Sequence, residues 1–385
     1  MKGKKDNGVT QKNAMQTRVS NLRETLKLLQ PVVPRKPNLE ALKNVLLADG
    51  KAMANNLDVM VAIDYPEAQG RFIIPHQNVQ ELLKFVPGNE LLTIEQDKKH
   101  LRLSWESGKA SYDVAEPADY PSQPKVAEKT TVNFDGDRLI AAMMSVVDYC
   151  ATEETRPILG CVNLSLGENT DIAAADGFRM AYQVIPVVSP VQDSMNIPAS
   201  SVRILGGLWN KLPPAVPPEK TLARQVMSKR QIKLVRGDDM LLAQFGHVTL
   251  AAHLTRGEFP SYRKLIPDNP PINVRFFAPE LKRAVMSVKM ISKDVSGRVN
   301  LEWTENCLTV FAASSDKGEA ETKLKVQADS PGRISINEHY LLEYLGDKEG
   351  LVSIGVTTPQ SPVLLRHGNS PIVVIMPMNT PSSSK

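Results

Sequence analysis

The segment Ile334-Ser335-Ile336-Asn337-Glu338-His339-Tyr340-Leu341 decides the fold, because its pattern occurs three times in the chain. A short alternating run ends in Ile, a polar step follows, and an amphipathic stretch with helical spacing begins. The same order of features occurs in Phe72-Ile73-Ile74-Pro75-His76-Gln77-Asn78-Val79 and in Asn196-Ile197-Pro198-Ala199-Ser200-Ser201-Val202. Since the copies lie about one domain length apart, the sequence predicts three copies of one α+β unit.

A second recurring element, a helix followed by an alternating strand, precedes each copy. The predicted helices cover residues 21–29, 137–147 and 279–292. Between the helices, apolar and polar residues alternate in runs such as Leu101-Arg102-Leu103-Ser104-Trp105. These runs predict antiparallel strands that each have one solvent-exposed face. The Asp176-Gly177 pair inside an alternating stretch predicts a hairpin or a bulge.

The predicted domain boundaries fall at polar, proline-containing stretches. They give a flexible N-terminal tail at 1–15, domains at 16–127, 128–271 and 272–379, and a C-terminal tail at 380–385. The Pro-rich stretch 213–220 is interpreted as a loop insertion in the middle domain, and a Pro-rich docking segment is the alternative.

Composition and charge narrow the class of protein. With 385 residues, 42% of them hydrophobic, and a net charge of +4, the chain is predicted to be globular and only mildly basic. This excludes a histone-like surface that coats nucleic acid. Three cysteines without paired spacing, and no apolar stretch long enough for a signal peptide or a membrane span, predict a cytoplasmic protein without a disulfide framework.

Basic residues cluster on the solvent-exposed faces of the predicted helices. In the third unit an apolar stripe that includes Leu281, Val285 and Val288 predicts the buried face, and the lysines lie to one side of it. The basic face of any single helix is explained by solubility. Six helices that face one way would instead gather a modest net charge into one positive surface, which attracts phosphates. The candidate DNA-facing residues are Arg23, Lys27, Lys84, Arg138, Arg203, Lys211, Lys282, Lys289 and Lys293.

A search for catalytic motifs finds none. Gly108-Lys109-Ala110-Ser111 hints at a phosphate-binding loop, but Leu103 stands where the first glycine belongs and Ala110 replaces the required Ser or Thr. The six histidines lack the spacing of zinc sites, and no Ser or Cys lies in a nucleophile motif. We therefore predict a non-enzymatic protein with no catalytic residues, no cofactor and no metal.

Four motifs resemble a known family, the bacterial DNA polymerase III beta subunit, or beta sliding clamp. They are Arg156-Pro157-Ile158-Leu159, Ala175-Asp176-Gly177-Phe178-Arg179-Met180-Ala181, the segment 257–267 that begins Gly257-Glu258-Phe259-Pro260, and Val373-Val374-Ile375-Met376-Pro377-Met378. The similarity extends from about Thr17 to Met378.

The resemblance implies an architecture and a function. It implies three DNA-clamp domains of one topology, with antiparallel sheets outside and helices lining a pore, and two chains joined head to tail in a homodimeric ring. Such a ring encircles duplex DNA without reading its sequence and tethers the replicative DNA polymerase. The implied partners are double-stranded DNA, a second copy of the chain, the polymerase, the clamp loader and other replication and repair proteins, with a nucleoid-associated location in the cytoplasm.

The resemblance also implies a partner-peptide pocket between the second and third domains. Carried over by motif, its residues are Leu159, Ala175, Gly177, Phe178, Arg179, Met180, Pro260, Lys264, Leu265, Tyr340, Val374, Ile375, Met376, Pro377 and Met378. Met and Leu side chains adapt to several ligands, and Arg179 and Tyr340 offer polar anchors. The alternative is that Met376 and Met378 only end a core strand.

Two other classes of protein remain open. One is a clamp-fold DNA-binding or scaffold protein without ring closure, which would be a monomer. The other is an enzyme with a scattered active site, which a tightly bound cofactor or metal would reveal.

Overall fold

The computed structural model describes residues 13–153, 155–189, 191–212, 230–368 and 370–379. The predicted Pro-rich loop at 213–220, the C-terminal tail and residues 1–12 of the N-terminal tail lie outside the described residues. Residues 13–15, which the sequence assigns to that tail, instead begin a strand, because Met15 is buried there and pairs with Ile94.

The elements are numbered in chain order over the described residues. The α-helices are α1 (Val19–Leu29), α2 (His76–Leu83), α3 (Gly136–Val146), α4 (Ala199–Lys211), α5 (Ala278–Ser292) and α6 (Glu338–Leu345). The first strands are β1 (Asn13–Arg18), β2 (Asn44–Ala48), β3 (Lys51–Asn55), β4 (Val59–Asp64), β5 (Arg71–Pro75), β6 (Leu91–Gln96), β7 (His100–Trp105), β8 (Gly108–Asp113), β9 (Thr130–Asp135), β10 (Cys161–Leu166), β11 (Thr170–Ala175), β12 (Arg179–Ile185) and β13 (Asp193–Pro198). The remaining strands are β14 (Gln231–Arg236), β15 (Met240–Phe245), β16 (Val248–His253), β17 (Ile272–Phe277), β18 (Arg298–Trp303), β19 (Cys307–Ser314), β20 (Gly318–Lys325), β21 (Gln327–Ala328), β22 (Gly332–Asn337), β23 (Leu351–Val356), β24 (Val363–Arg366) and β25 (Ile372–Ile375).

The repeated strand-to-helix pattern is confirmed at all three places. Strand β5 leads directly into α2, β13 into α4, and β22 into α6. At the third copy Asn337 caps α6, because its side-chain oxygen accepts a hydrogen bond from the His339 amide at 2.9 Å. The polar step of the sequence pattern is therefore the point at which extended backbone changes to helix.

The chain forms two compact units, each with two antiparallel sheets. The first unit comprises the described residues up to Ile140 together with Ser200–Leu254, and the second comprises Ala141–Ala199 with the described residues from Thr255 onward. The boundaries of the three predicted repeats remain a prediction.

The first unit contains an eight-stranded and a four-stranded sheet. Their strand orders are β5-β2-β3-β4-β16-β15-β14-β9 and β1-β6-β7-β8. Trp209 on α4 packs so closely on Gly136 that a side chain at 136 would collide with its ring. Asp137 accepts hydrogen bonds from the Trp209 indole at 2.9 Å and from Arg230 at 2.5 Å, and these contacts join α4 to the start of α3.

The second unit contains a nine-stranded and a four-stranded sheet. The orders are β13-β10-β11-β12-β25-β24-β23-β17-β21 and β20-β19-β18-β22. Helix α5 buries Leu281, Ala284, Val285 and Val288, which confirms the apolar stripe predicted from the sequence, while Ile291 is only half-buried. The strand order brings β12 and β25, far apart in sequence, side by side, and these two strands form the base of the candidate site.

Candidate functional site

A tight turn between β11 and β12 forms one rim of the site, and it confirms the predicted Asp176-Gly177 hairpin. Asp176 Oδ1 accepts hydrogen bonds from the amides of Phe178 and Arg179, both at 2.9 Å. Gly177 has a φ of +95°, which a residue with a side chain adopts only at a cost. A Cβ at this position would lie 3.5 Å from Arg156 and 4.0 Å from Leu159. These are ordinary van der Waals distances, so the positive φ, rather than a lack of space, favours glycine at this position.

The chain end lies directly beside this turn. In the antiparallel register of β12 and β25, Arg179 pairs with Ile375 and Met180 pairs with Val374. The Met376 amide then donates to the Phe178 carbonyl at 2.8 Å. Two positions further on, the Met378 amide donates to the Ser335 carbonyl on β22, also at 2.8 Å. These hydrogen bonds hold the Met376–Met378 segment across two sheets of the second unit.

A buried apolar cluster packs around β12 and β25, the two strands that form the base of the site. It consists of Ala173, Met180, Tyr262, Leu364 and Val374. The Tyr262 ring also contacts Tyr182 and Phe259, with centroids 5.5 and 6.0 Å apart, and burial raises its pKa to about 12. Because Tyr262 begins the short helical turn that carries Lys264 and Leu265, this cluster ties those two residues to β12 and β25.

The predicted pocket residues divide into a buried base and an exposed surface, all within the second unit. The buried members are Leu159, Met180, Val374 and Ile375. Three large apolar side chains stay exposed: Phe178 at 63%, Leu265 at 48% and Met376 at 40%. Pro260, Gly177 and Lys264 are also exposed, while Ala175, Tyr340, Pro377 and Met378 are half-buried. Exposed apolar side chains on a rigid base suit the docking of an apolar partner segment.

Aromatic stacking joins the turn to helix α6. The Phe178 and Tyr340 rings are stacked, with centroids 6.5 Å apart and an interplanar angle of 23°. Phe178 comes from the β11–β12 turn and Tyr340 from the first turn of α6, so the pair links two segments of the second unit that are far apart in the sequence.

Arg179 is the most heavily engaged polar residue of the predicted set. It forms ion pairs with Asp176, at 3.0 Å, and with Glu343, and its side chain is only 8% exposed. Its guanidinium also lies 4.9 Å from the centre of the Tyr149 ring and 4.6 Å from that of Tyr340. Burial alone would lower the pKa of Arg179, but the two carboxylates outweigh it and raise the pKa, so the side chain stays charged.

The sequence did not single out Tyr149 and Glu343. Glu343 lies one helical turn after His339 on α6, with its carboxylate 3.4 Å from the His339 ring. The sequence interpretation treats Arg179 as a polar anchor for a peptide and not as a buried side chain, but a buried basic side chain needs a carboxylate nearby. Which carboxylate it was depends on the strand order, and the local sequence does not contain that information.

The predicted DNA-facing residues differ in how free their charged ends are. Arg23 donates to the carbonyls of Leu83 and Val86, both at 2.5 Å, and so closes the end of α2. Lys282 donates to the Gly346 carbonyl at 2.5 Å, and the ammonium group of Lys289 lies 3.7 Å from Glu338. Lys84 pairs with Glu81 at 2.6 Å, and Arg138 with Asp135 at 3.7 Å. The members whose side chains are exposed at the surface are Lys27, Lys84, Arg138, Arg203, Lys211 and Lys293.

Two lysines on different helices of the first unit lie close together. The Lys211 ammonium group on α4 donates to the Lys27 carbonyl on α1 at 3.3 Å. Burial, and then the charge of Lys27, lower the pKa of Lys211. A phosphate group placed between the two ammonium groups would relieve this repulsion, so the pair is suited to contact with a nucleic-acid backbone.

Two further features concern the part of the chain that the structure describes. Among those residues, no three His, Cys, Asp or Glu side chains lie close enough together to hold a metal ion. In the same residues, no helix has the length and the apolar character needed to span a membrane.

Comparisons with known proteins point to one family. A family model described as the DNA polymerase III beta subunit, C-terminal domain, matches residues 263–379. The beta sliding clamp of Synechococcus elongatus is 23% identical over 93% of this chain and 94% of its own length, and that of Caulobacter vibrioides is 26% identical over 91% and 95%. A solved DNA polymerase III subunit beta from Pseudomonas aeruginosa has a TM-score of 0.84 at 20% identity, covering 96% of this chain and all of its own. A sliding clamp from the same organism bound to griselimycin has a TM-score of 0.83 at 19% identity, covering 95% and 99%. The resemblance that the four motifs indicated is confirmed.

Proposed function

We propose that this chain, which matches the beta sliding clamps in sequence and in fold over more than nine-tenths of its length, acts as a DNA sliding clamp. The observation that carries the proposal is the extent of the match, because it reaches both compact units. Members of this family are processivity factors, so the proposed role is that of a non-catalytic accessory subunit of a DNA polymerase.

Two free sheet edges support ring closure between two copies. Strand β8 is an edge of the small sheet in the first unit, and β20 is an edge of the small sheet in the second. An unpaired edge strand invites pairing with another chain. In both strands half-buried and exposed side chains alternate, which fits a strand that continues a sheet.

The surroundings of β20 fit a partner of matching shape and charge. A groove of about 1210 Å³ lies beside the strand and helix α5. On α5, Met286 and Met290 are 52% and 70% exposed. On β20 two acidic and two basic side chains are exposed, Glu319, Glu321, Lys323 and Lys325. Strand β8 carries the exposed Lys109. We propose that β8 of one copy pairs with β20 of the next, in head-to-tail order, twice around a closed ring.

The basic helix faces would then hold DNA by topology and weak phosphate contacts. Contacts to phosphates carry no sequence information, and their affinity falls with salt. Few free cations suit a protein that must slide, because many strong contacts would stop it. That Arg23 and Lys282 donate to backbone carbonyls is consistent with such a sparse lining.

The exposed residues around Phe178 would bind partner peptides. The P. aeruginosa clamp whose solved structure contains griselimycin shares the fold of this chain, so griselimycin is a suitable probe. We expect it to bind this protein, and replacement of Met376 and Met378 by Ala to weaken the binding, because Met376 is the apolar end of the β25 segment.

A measurement of mass tests ring closure and separates the clamp from its alternative. Multi-angle light scattering should give twice 42.4 kDa for the wild type. Reversing Glu319→Lys together with Glu321→Lys should give a monomer. The matched control, Glu302→Lys with Glu305→Lys, changes two exposed acids away from β20 and should stay dimeric. A wild-type monomer at every concentration would favour a clamp-fold scaffold without ring closure.

A further inference from the structure

Arg179 is enclosed by the protein itself and has little surface left for a partner. Its Nε donates to Asp176 at 3.0 Å, Nη1 to Glu343, and Nη2 to the Asp148 carbonyl at 3.3 Å. The rings of Tyr149 and Tyr340 lie within 5 Å of its guanidinium carbon. These contacts come from three separate segments: the 147–149 turn, the β11–β12 turn and helix α6.

A second turn in the same chain shows that the arginine is not needed to form the turn. Between β3 and β4, Asn56 Oδ1 accepts hydrogen bonds from the amides of Asp58 at 3.1 Å and Val59 at 2.7 Å. Leu57 there has a φ of +79°, as Gly177 has +95°. The residue in the place of Arg179 is Val59, and it pairs with β16 just as Arg179 pairs with β25.

The two turns also bind the neighbouring strand of the sheet in the same way. The Asp58 carbonyl accepts a hydrogen bond from the His253 amide at 3.0 Å, and the Phe178 carbonyl accepts one from Met376 at 2.8 Å. One chain thus contains the same turn with and without an arginine. Apart from the Nε–Asp176 hydrogen bond, which lies within the turn, the additional contacts of Arg179 lead to the 147–149 segment and to α6, so they serve something other than the turn.

We propose that Arg179 is a positioning residue. It holds residues 147–149 and helix α6 against the β11–β12 turn, and so fixes the stacked rings of Tyr340 and Phe178, called the aromatic wall below. This inference rests on the proposed function, because the wall belongs to the peptide-docking surface. Glu343 acts together with Arg179 through their ion pair, and the two residues are called the lock below. A ligand contacts the rings of Phe178 and Tyr340 rather than the guanidinium group.

Removal of the arginine should loosen two segments while leaving the turn intact. Arg179→Val reproduces the residue that the β3–β4 turn already contains, so the variant is expected to fold. Glu343→Gln keeps the shape of the side chain but removes its charge. Arg366→Val is a matched control, because Arg366 is an exposed arginine at the end of β24 in the same unit.

The first measurement is hydrogen exchange on the protein without ligand, so it does not depend on the proposed function. Arg179→Val should raise amide exchange at least about fivefold in α6 and at residues 147–149, because the opening free energy of a segment falls when contacts to it are removed. Exchange in the amides of β12 should change little, and Arg366→Val should change neither. Unchanged exchange in α6 would overturn the proposal.

The second measurement is a double-mutant cycle on griselimycin affinity. If Arg179 and Glu343 act as one lock, each single substitution should weaken binding, and the double variant should bind no more weakly than Arg179→Val alone. If Arg179 instead contacts the ligand directly, Glu343→Gln should leave the affinity unchanged or improve it, and the proposal is wrong. A wild type that binds no griselimycin would count against the proposed docking function, while the exchange result would still decide the role of Arg179.

Discussion

Phe178 offers the sharpest test of the docking surface, because it is a large apolar side chain that the protein leaves 63% exposed. Full burial of such a side chain contributes about 1.5–3 kcal/mol. A ligand that covers the exposed part would therefore gain about 1–2 kcal/mol from it. We expect Phe178→Ala to weaken griselimycin binding by a factor of about 5–30.

Fold stability should fall by an amount similar to the loss of affinity, without loss of the fold. The part of Phe178 that is already buried contributes no more than about 1 kcal/mol to the free energy of unfolding, and stacking on Tyr340 adds about 0.5–1.5 kcal/mol. Thermal unfolding of the variant should thus remain cooperative, with a Tm only a few degrees lower.

Isothermal titration calorimetry of griselimycin into the purified protein measures the effect. Val188→Ala is the matched control, since Val188 is 73% exposed in the segment after β12 and is not part of the docking surface. The control should bind as the wild type does. An affinity of Phe178→Ala equal to that of Val188→Ala would refute the assignment of the docking surface.

Three further predictions concern DNA, pH and packing. Reversing the charge of three lysines on and just after α5, Lys282, Lys289 and Lys293, should lower the salt concentration at which the protein leaves a linear duplex with open ends, and the dimer mass should stay unchanged. The added negative charges repel phosphates even though Lys282 and Lys289 have partners in the protein. Burial holds the pKa of His76 below its ordinary value, and its hydrogen bond to the Leu26 carbonyl only partly opposes this. The folded protein therefore favours the neutral imidazole. The stability that this neutral form contributes is complete above pH about 6.5 and is lost as the pH falls. His76→Gln should therefore reduce the drop in Tm between pH about 7.5 and about 5.5, and an unchanged drop would contradict this. Gly332→Ala should cost about 1–3 kcal/mol in urea unfolding, because its methyl group would lie 2.6 Å from the Trp303 ring; no loss of stability would show that the ring moves aside.

The strand-to-helix steps and the hairpin at Asp176 could be predicted because each depends on a local pattern. Alternation along a strand and helical spacing are properties of neighbouring residues, so β22 and α6 follow directly from Ile334–Leu341. The same reasoning placed Leu281, Val285 and Val288 on the buried face of α5, where they are. Local patterns therefore sufficed for the type of each of these elements.

The arrangement of the candidate site could not be derived in that way. The pairing of Arg179 with Ile375 joins strands almost two hundred residues apart, and only the resemblance suggested that their motifs meet. The partners of Arg179 and Arg23 were also hidden, because a basic residue on a helix or strand looks the same in sequence whether its charge faces solvent or a carbonyl group. Burial and long-range hydrogen bonds decide between the two, and both are properties of the folded chain.

The central claim is that the protein holds DNA by encircling it. The most direct test is to thread the protein onto DNA over a free end, which needs no clamp loader. A linear duplex is attached to a bead by one end and incubated with the protein, and its free end is then blocked with streptavidin before a wash in high salt. The account predicts that protein stays on the bead only when the block follows the incubation, and that cutting the duplex with a restriction enzyme releases it. Complete loss in the salt wash whatever the order of blocking, or retention that survives the cut, would contradict the account.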